Sequence, residues 1–412
     1  MARHLPTRPV LLALLALLFP RAAAPAPPPQ WVSTWEAAPQ LTEPANNPPL
    51  PLAGTTVRQV LRVNGGGGAR LRVLFSNVFG SGPVTVLAAH VAASAAAPGA
   101  PVDSRIMAAT DTALTFDGGA AGVTIAAGAS AWSDAAAFVV EPLGNLAVTA
   151  AFGAAPGAGV SGHPGSRTTS YQALGADVSA PDMATAQAAP HWWVLAGLDV
   201  ADGPATRACV VIGDSITDGR GSTTDGNNRW PDVLAARLLA TNSTAPRGAR
   251  NSTVVNAGIG GNAITGGGLG PTALERFARD VLGQSAVDCA VIFEGVNDIG
   301  AGVAASAVIA GLETLRAAAA AAGLRTVGAT ITPFFGNSYF SPTHEAARQA
   351  VNAHIRSSGG AFDAVIDFDE AVADGGAPPR LKPEYDSGDG LHPNALGYAV
   401  MAAAVDLAIF DR

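Results

Sequence analysis

The chain has 412 residues, of which 48% are hydrophobic, so it can form two or three globular domains with sizeable cores. Its 24 basic and 32 acidic side chains give a formal net charge of −8, and no basic run follows the first few residues. This balance argues against nucleic acid and against an anionic membrane surface as partners.

The first 29 residues have the pattern of a secretory signal peptide. The basic residues Arg3 and Arg8 precede the apolar stretch Val10–Phe19, and three alanines follow at positions 22–24. A membrane anchor is the alternative, but it needs about 20 apolar residues and this stretch has ten. We therefore expect a secreted, extracellular protein whose mature chain starts near Gln30, without integral membrane association.

Residues 30–205 predict an all-β domain, either a sandwich or a jelly roll. Short apolar–polar alternations are separated there by Gly/Pro-rich segments. The segments Thr56–Val63 and Ala69–Asn77, joined by the glycine-rich residues 64–68, predict a β-hairpin. Further strand-like segments are Phe138–Glu141, Leu146–Phe152 and His191–Leu198.

The tryptophans of this region allow two interpretations. Trp31, Trp35, Trp192 and Trp193 could stack on sugars, but the large area that a Trp buries favours core or interface packing.

Residues 206–412 change to an alternation of β-branched strands and long Ala-rich helices, which is typical of a parallel sheet covered on both faces. The predicted elements are Arg207–Ile212, Pro231–Ala240, Thr253–Asn256, Val287–Phe293, Ala304–Ala322, Thr326–Ile331, Pro342–Arg356, Ala364–Phe368 and Asn394–Phe410. We expect one three-layer α/β domain with its site at the carboxyl ends of the strands.

Cys209 and Cys289 each occur early in an apolar run that predicts a central strand. A disulfide is permitted in an exported protein, but buried strand cysteines commonly act as small hydrophobes, and free thiols are the expectation. Two isolated cysteines do not make a metal-ligand set.

Four short motifs carry the candidate chemistry: Gly213-Asp214-Ser215, Asn256 to Gly261, Gly295-Val296-Asn297-Asp298 and Asp389-Gly390-Leu391-His392. The first three follow successive predicted strands, and the fourth precedes the last helix. Because the strands are expected to be parallel, their carboxyl ends bring these motifs to one edge of the sheet.

Together the motifs supply what acyl transfer requires. Ser215 offers a hydroxyl nucleophile, and Asp389 lies three residues before His392, where its carboxylate can orient the imidazole. The N–H groups of Ser215 and Gly261 and the Asn297 amide are candidate oxyanion donors. Taken singly, these residues could also be a helix N-cap, a turn glycine and a loop-supporting asparagine.

A dinucleotide site is the alternative interpretation of the second motif. Residues 258–263 fit the loose G-x-G-x-x-A fingerprint, but they follow the second strand of the domain, and no strand-ending acid comes about 20 residues later. A nicotinamide-dependent oxidoreductase is therefore disfavoured. The G-x-S-x-G elbow of the α/β-hydrolase family is absent.

In these four motifs the chain resembles the SGNH, or GDSL, hydrolase superfamily, over residues 207–412. The resemblance implies a three-layer, flavodoxin-like α/β fold with a parallel sheet. It places the nucleophile at Ser215, the oxyanion hole at Ser215, Gly261 and Asn297, and the triad partners at Asp389 and His392. The region before it, around Trp31–Trp35, resembles the β domain that precedes the catalytic domain in some secreted members.

The resemblance implies a secreted serine esterase that needs no metal or organic cofactor. Expected substrates are carboxylic esters with short acyl groups, including O-acetylated polysaccharides. The alternatives are a lipase or lysophospholipase acting on longer acyl chains, and a non-catalytic carbohydrate-binding protein.

Overall fold

The computed structural model describes residues 30–97, 100–240, 251–357 and 361–411. The predicted signal peptide, residues 1–29, lies outside the described residues. Within the described ranges, no helix is both long enough and apolar enough to cross a membrane.

The first half of the chain is built of short strands, as its alternating pattern predicts. They are β1 Val32–Glu36, β2 Gln40–Leu41, β3 Thr55–Arg62, β4 Gly68–Ser76, β5 Val84–Ala93, β6 Thr112–Leu114, β7 Val123–Ile125, β8 Ser130–Trp132, β9 Ala136–Val140, β10 Asn145–Phe152, β11 Ser161–His163, β12 Ser170–Leu174, β13 Gln187–Ala189, β14 Trp192–Trp193 and β15 Leu195–Ala201. Short 3₁₀ turns lie at Pro44–Asn46 and Ala108–Thr110.

These strands form two main antiparallel sheets around one core. The order is β1-β15-β4-β8 in the first sheet, with β9 also on β4, and β13-β12-β3-β10-β5-β6 in the second, with β7 also on β5. Val57 and Leu61 of β3 share a core with Val73 and Phe75 of β4. The region is therefore a β-sandwich. A smaller sheet of β14, β11 and β2 lies beside it.

Three tryptophans of this region pack inside it, as expected. Trp35, Trp192 and Trp193 are at most 4% exposed, and the Trp35 ring meets the edge of the Trp192 ring at 4.8 Å between centroids. They are therefore core residues rather than platforms for a sugar.

The predicted hairpin over residues 56–77 is wrong. Both segments are strands, but β3 pairs with β10 and β12, whereas β4 pairs with β8, β9 and β15 in the other sheet. The glycines between them pass through a crowded space: a Cβ on Gly65 would lie 2.5 Å from the Thr253 side chain, and one on Gly67 would lie 1.6 Å from the Val140 carbonyl. The glycine run allows close packing between the sheets and does not turn one strand back on its neighbour.

The second half alternates strands and helices. The strands are β16 Arg207–Gly213, β17 Ser252–Gly258, β18 Val287–Phe293, β19 Arg325–Ala329 and β20 Ala364–Ile366. The helices are Ser215–Asp218, Trp230–Ala240, Ala273–Phe277 with a continuing π turn Ala278–Leu282, Val296–Gly300, Ala305–Ala321, Pro342–Ser357, Phe368–Val372, Ala395–Ala404 and the 3₁₀ turn Leu407–Phe410.

The five strands of this half form one parallel sheet in the order β17-β16-β18-β19-β20. Alternate residues of β16 pack in different hydrophobic cores. Val210 and Ile212 share one core with Leu312 and Val351 of the helices, while Val211 packs in the core on the other face of the sheet. Helices cover both faces, which confirms the three-layer α/β prediction. The central position of β16, between β17 and β18, places the ends of these three strands together.

The expectation of two free thiols is wrong. Cys209 on β16 and Cys289 on β18 are direct partners in the parallel register, with 4.4 Å between their Cα atoms, and they form a disulfide. Adjacent parallel strands brought the two side chains to the same face at the same level, which the separate apolar runs could not reveal.

The β-sandwich is joined to the edge of the parallel sheet by hydrogen bonds from buried groups. Ser33 of β1 donates its N–H to the Ser285 carbonyl at 3.0 Å and accepts the Thr253 hydroxyl at 2.5 Å. Asn64 accepts the Val254 N–H at 2.9 Å. These contacts fix the position of the sandwich relative to the strands that carry the site.

Candidate active site

Ser215 lies where β16 ends and a one-turn helix begins. Asp214 is the N-cap of this helix, and its carboxylate accepts the Ile216 N–H at 2.8 Å. A Cβ at Gly213 would lie 2.2 Å from the Thr217 hydroxyl, so the sharp strand-to-helix turn leaves no room for a side chain there. The turn places the Ser215 hydroxyl at the carboxyl edge of the sheet.

His392 and Asp389 complete a linear chain of polar groups. The Ser215 hydroxyl lies 2.8 Å from Nε2 of His392, and Nδ1 of the same ring lies 2.7 Å from the Asp389 carboxylate. The other Asp389 oxygen accepts the backbone N–H groups of Leu391 and His392. The turn holds the carboxylate against one ring nitrogen and leaves the other facing the serine.

The electrostatics of this pair suit proton transfer near neutral pH. Burial lowers the pKa of the His392 imidazole; Asp389 opposes this, and the guanidinium groups of Arg220 and Arg167 add to it. Burial tends to raise the pKa of Asp389, but hydrogen bonds from His392 outweigh it and the pKa lies below its ordinary value. An ionised Asp389 beside a neutral His392 is the resulting state.

Gly261 and Asn297 line the same pocket as Ser215 and His392. Gly261 has φ +73°, in the left-handed region, where a side chain would also press against Leu269. The Asn297 amide donates to the Asn262 carbonyl at 2.7 Å, which uses one of its two N–H groups and leaves the second for a ligand. The structure thus places four of the five predicted site residues at one pocket, and the fifth, Asp389, contacts His392 without lining the pocket.

Sequence reasoning missed Tyr339, whose hydroxyl donates to Oδ1 of Asn297 at 3.0 Å. This contact fixes which end of the amide faces the pocket, because Oδ1 is occupied and Nδ2 is left toward the ligand space. Tyr339 lies in a loop far along the chain from Asn297, and no local pattern indicates it.

Arg276 is a second residue that the sequence did not indicate. Its side chain is fully buried and donates to the Gly213 carbonyl at 3.0 Å, the Ala257 carbonyl at 2.6 Å and the Asn262 side chain at 2.9 Å. It also pairs with Asp280 at 3.2 Å and with Glu294 at 3.3 Å. One guanidinium therefore joins the carboxyl ends of the three strands that lead to the site.

The pocket, of about 260 Å³, is shared between both halves of the chain. The α/β half contributes the reacting groups, and the sandwich contributes a polar wall that contains Gln40, Glu43, Asn46, Arg167 and His191.

His163 ties this wall to the nucleophile's helix. Its Nδ1 faces the Ala38 carbonyl at 3.0 Å and its Nε2 faces Asp218 at 2.9 Å. Gly165 lies so close to Asp218 that a Cβ there would be 1.8 Å from its carboxylate.

Among the residues that the structure describes, no three His, Cys, Asp or Glu side chains lie close enough together to bind a metal ion.

Comparison with known proteins gives one family. Residues 211–400 match the family model of GDSL-like lipases and acylhydrolases, and this range includes every predicted site residue. No curated protein sequence matches the chain.

Solved structures are similar to about half of the chain. A GDSL-like lipase from Bacteroides thetaiotaomicron is 20% identical with TM-score 0.37, over 50% of this chain and 88% of that one. A lipolytic G-D-S-L family protein from Veillonella parvula is 17% identical with TM-score 0.36, over 48% and 95%. An acetyl xylan esterase is 19% identical with TM-score 0.37, over 48% and 96%.

Replacing Arg276 with methionine is expected to lower the free energy of unfolding by about 3–5 kcal/mol, because Glu294 would stay buried without its partner and the buried carbonyls of Gly213 and Ala257 would lose this donor. Urea unfolding followed by tryptophan fluorescence measures the change. The control is Arg105→Met, which removes an exposed, solvent-screened pair with Asp103 and should change the free energy of unfolding little. Equal stability of the two variants would show that Arg276 is not the anchor described above.

Proposed function

Since residues 211–400 form a domain of the GDSL-like lipase and acylhydrolase family, we propose that this protein is a serine hydrolase of carboxylic esters. The observation that carries the proposal is the chain of contacts from Ser215 to His392 to Asp389, at 2.8 Å and 2.7 Å. It has the order and spacing that activation of a serine hydroxyl requires.

In the proposed mechanism His392 takes the hydroxyl proton on Nε2 while Ser215 Oγ attacks the ester carbonyl carbon. The tetrahedral oxyanion accepts hydrogen bonds from the N–H groups of Ser215 and Gly261 and from Nδ2 of Asn297. As the carbon–oxygen bond of the alcohol breaks, His392 returns the proton to the leaving oxygen. Asp389 stabilises the imidazolium throughout.

The acyl group is then released by water. His392 removes a proton from the water molecule, whose oxygen attacks the acyl carbonyl, and the bond to Ser215 breaks as Oγ regains the proton. The products are a carboxylic acid and a free enzyme. No step needs a metal or an organic cofactor.

We favour esters with short acyl groups, such as O-acetyl groups on a polysaccharide. The pocket is small, at about 260 Å³, and its sandwich wall carries amide, carboxyl and guanidinium groups that can bind sugar hydroxyls. The proposal that the enzyme acts outside the cell depends on the sequence of residues 1–29 alone.

Longer acyl chains are the second candidate, and one observation favours them. Leu269 lines the pocket and is 54% exposed, and Leu41, beside the pocket residue Gln40, is 51% exposed. These two apolar side chains could support a fatty chain at the pocket rim.

The direct test is hydrolysis of p-nitrophenyl acetate, butyrate and palmitate by residues 30–412 and by the Ser215→Ala variant. We expect turnover that falls with acyl length and is abolished in the variant. Fastest turnover of palmitate would favour the lipase. A folded parent protein without turnover of any ester would favour the carbohydrate-binding protein.

Asn297→Ala should fold normally and lose about 10²–10³ in kcat on p-nitrophenyl acetate, because one oxyanion donor is removed. The matched control is Asn228→Ala, whose side chain contacts Thr223 outside the pocket. Comparison of kcat with circular dichroism separates catalysis from folding. Full activity of the Asn297 variant would exclude this residue from the mechanism.

The activity should depend on pH through His392. The neutral ring is the base, so kcat/KM is high above the pKa of His392 and is lost as pH falls through it. Burial and the two nearby arginines lower that pKa, so the midpoint should lie below the ordinary imidazole value of about 6.5. Initial rates on p-nitrophenyl butyrate from mildly acidic to neutral pH measure it; a midpoint above the ordinary value contradicts the assignment.

A further inference from the structure

Arg220 presents an unused guanidinium at the pocket. Its backbone is held on both sides, because its N–H donates to the Ser215 carbonyl at 2.9 Å and its own carbonyl accepts the Tyr398 hydroxyl. Its side chain lines the pocket and, within the described parts of the chain, makes no hydrogen bond or ion pair. The five N–H donors of this group are therefore open to a ligand.

Arg167 reaches the same pocket from the sandwich. Its backbone carbonyl accepts the Asp225 N–H at 2.9 Å, and its φ of +50° lies in the left-handed region. Its Nε is buried without a hydrogen-bond partner, and its contact with Asp218 is 3.8 Å, longer than a hydrogen bond. Arg167 therefore also has N–H groups that can donate hydrogen bonds to a ligand.

The carboxylates of the pocket are only partly engaged by the two arginines. Glu43 accepts hydrogen bonds from Gln40 and Asn46 at 2.5 Å and 3.1 Å. Oδ1 of Asp218 faces His163, and among the described residues its Oδ2 makes no hydrogen bond and only the 3.8 Å ion pair with Arg167. The chain as a whole carries a net charge of −8, which repels anions in general. Arg220, which has no ion pair among the described residues, and Arg167, whose ion pair with Asp218 is long, place positive charge beside the reacting centre of this acidic chain.

We propose that Arg220 and Arg167 form a subsite for an anionic group, so that the preferred substrates are esters that also carry a carboxylate, phosphate or sulfate. This rests on the proposed ester hydrolysis and names its substrate class. Guanidinium groups bind such anions through paired, charge-assisted hydrogen bonds. Both arginines line the same pocket as Ser215 and His392, so an anion bound to them would lie close to the scissile bond.

The anion can belong to either side of the ester, and two matched substrate pairs distinguish the sources. 4-Acetoxybenzoate against 4-acetoxybenzamide tests an anion on the alcohol side, and monophenyl adipate against phenyl hexanoate tests one on the acyl side. We expect kcat/KM to favour the anionic member of one pair by about tenfold or more, the value of one charged hydrogen bond.

Arg220→Gln should reduce this preference about tenfold, and Arg220→Lys should keep part of it, since only the paired geometry is lost. Circular dichroism like that of the parent protein shows that the variant is folded. Because the pKa of His392 should rise without Arg220, the rates are compared at a pH well above the imidazole range, where His392 is neutral in both proteins. The control is Arg105→Gln, exposed and paired with Asp103 away from the pocket. Equal kcat/KM within both pairs, or a preference unaffected by Arg220→Gln and Arg167→Gln, overturns the subsite.

The subsite and the proposed function fail in different ways. If the parent protein hydrolyses no ester, the proposed function fails, and calorimetric titration of Ser215→Ala with benzoate and benzamide still tests the subsite. Stronger binding of benzoate that is lost in the additional Arg220→Gln variant supports it. Equal binding of the two probes rejects it.

Discussion

The buried guanidinium of Arg276 is the constraint on which the site depends. The carbonyl groups of Gly213 and Ala257 lie at the carboxyl ends of the neighbouring parallel strands β16 and β17. Arg276 donates to both and to Asn262, next to Gly261. A neutral amide side chain has only two N–H donors, too few for these acceptors, and a lysine would lack the planar fork. The positions of the serine loop and the glycine loop are therefore coupled through one side chain.

Burial of the Arg276 guanidinium costs desolvation free energy, and the acidic side chains around it offset that cost. Arg276 is accompanied by Asp280 and Glu294, both fully buried. Burial raises the pKa of Glu294 well above its ordinary value, nearby Asp214 adds to this, and Arg276 opposes it. Burial also raises the pKa of Asp214, the residue before the nucleophile, to about 7. Buried ionisable groups thus lie directly behind Ser215; burial favours the neutral forms of Glu294 and Asp214, and the Arg276 guanidinium favours their ionised forms.

Much of this could be predicted from the sequence, because the relevant signals are local. The β-branched runs at 207–212 and 287–293 predicted the parallel strands, and the motifs at Ser215, Asn297 and His392 predicted which loops meet. Contacts of residues outside these motifs with distant segments could not be predicted. Tyr339 and Arg276 act on residues far from them along the chain, and neither belongs to a motif.

The dependence on long-range contacts also explains why the hairpin and free-thiol predictions were wrong. It explains as well why the sequence left open the role of the β-sandwich. A hairpin turn and a glycine-rich connection between two sheets have similar local composition, and only tertiary packing distinguishes one structure from the other. The pairing of Cys209 with Cys289 depends on strand register. The sandwich wall of the pocket reaches the nucleophile's helix through His163 and Asp218, a contact between residues 55 positions apart.

The close packing around Gly65 and Gly67 limits where this chain can be changed by engineering. Gly65 and Gly67 occupy space that no Cβ can share with Thr253 or Val140, so the connection between β3 and β4 is unsuited to an inserted tag, a fusion or new chain termini. Exposed turns such as Gly118 and Gly119, where an added Cβ would meet nothing within 4 Å, are the better places to cut or lengthen this protein.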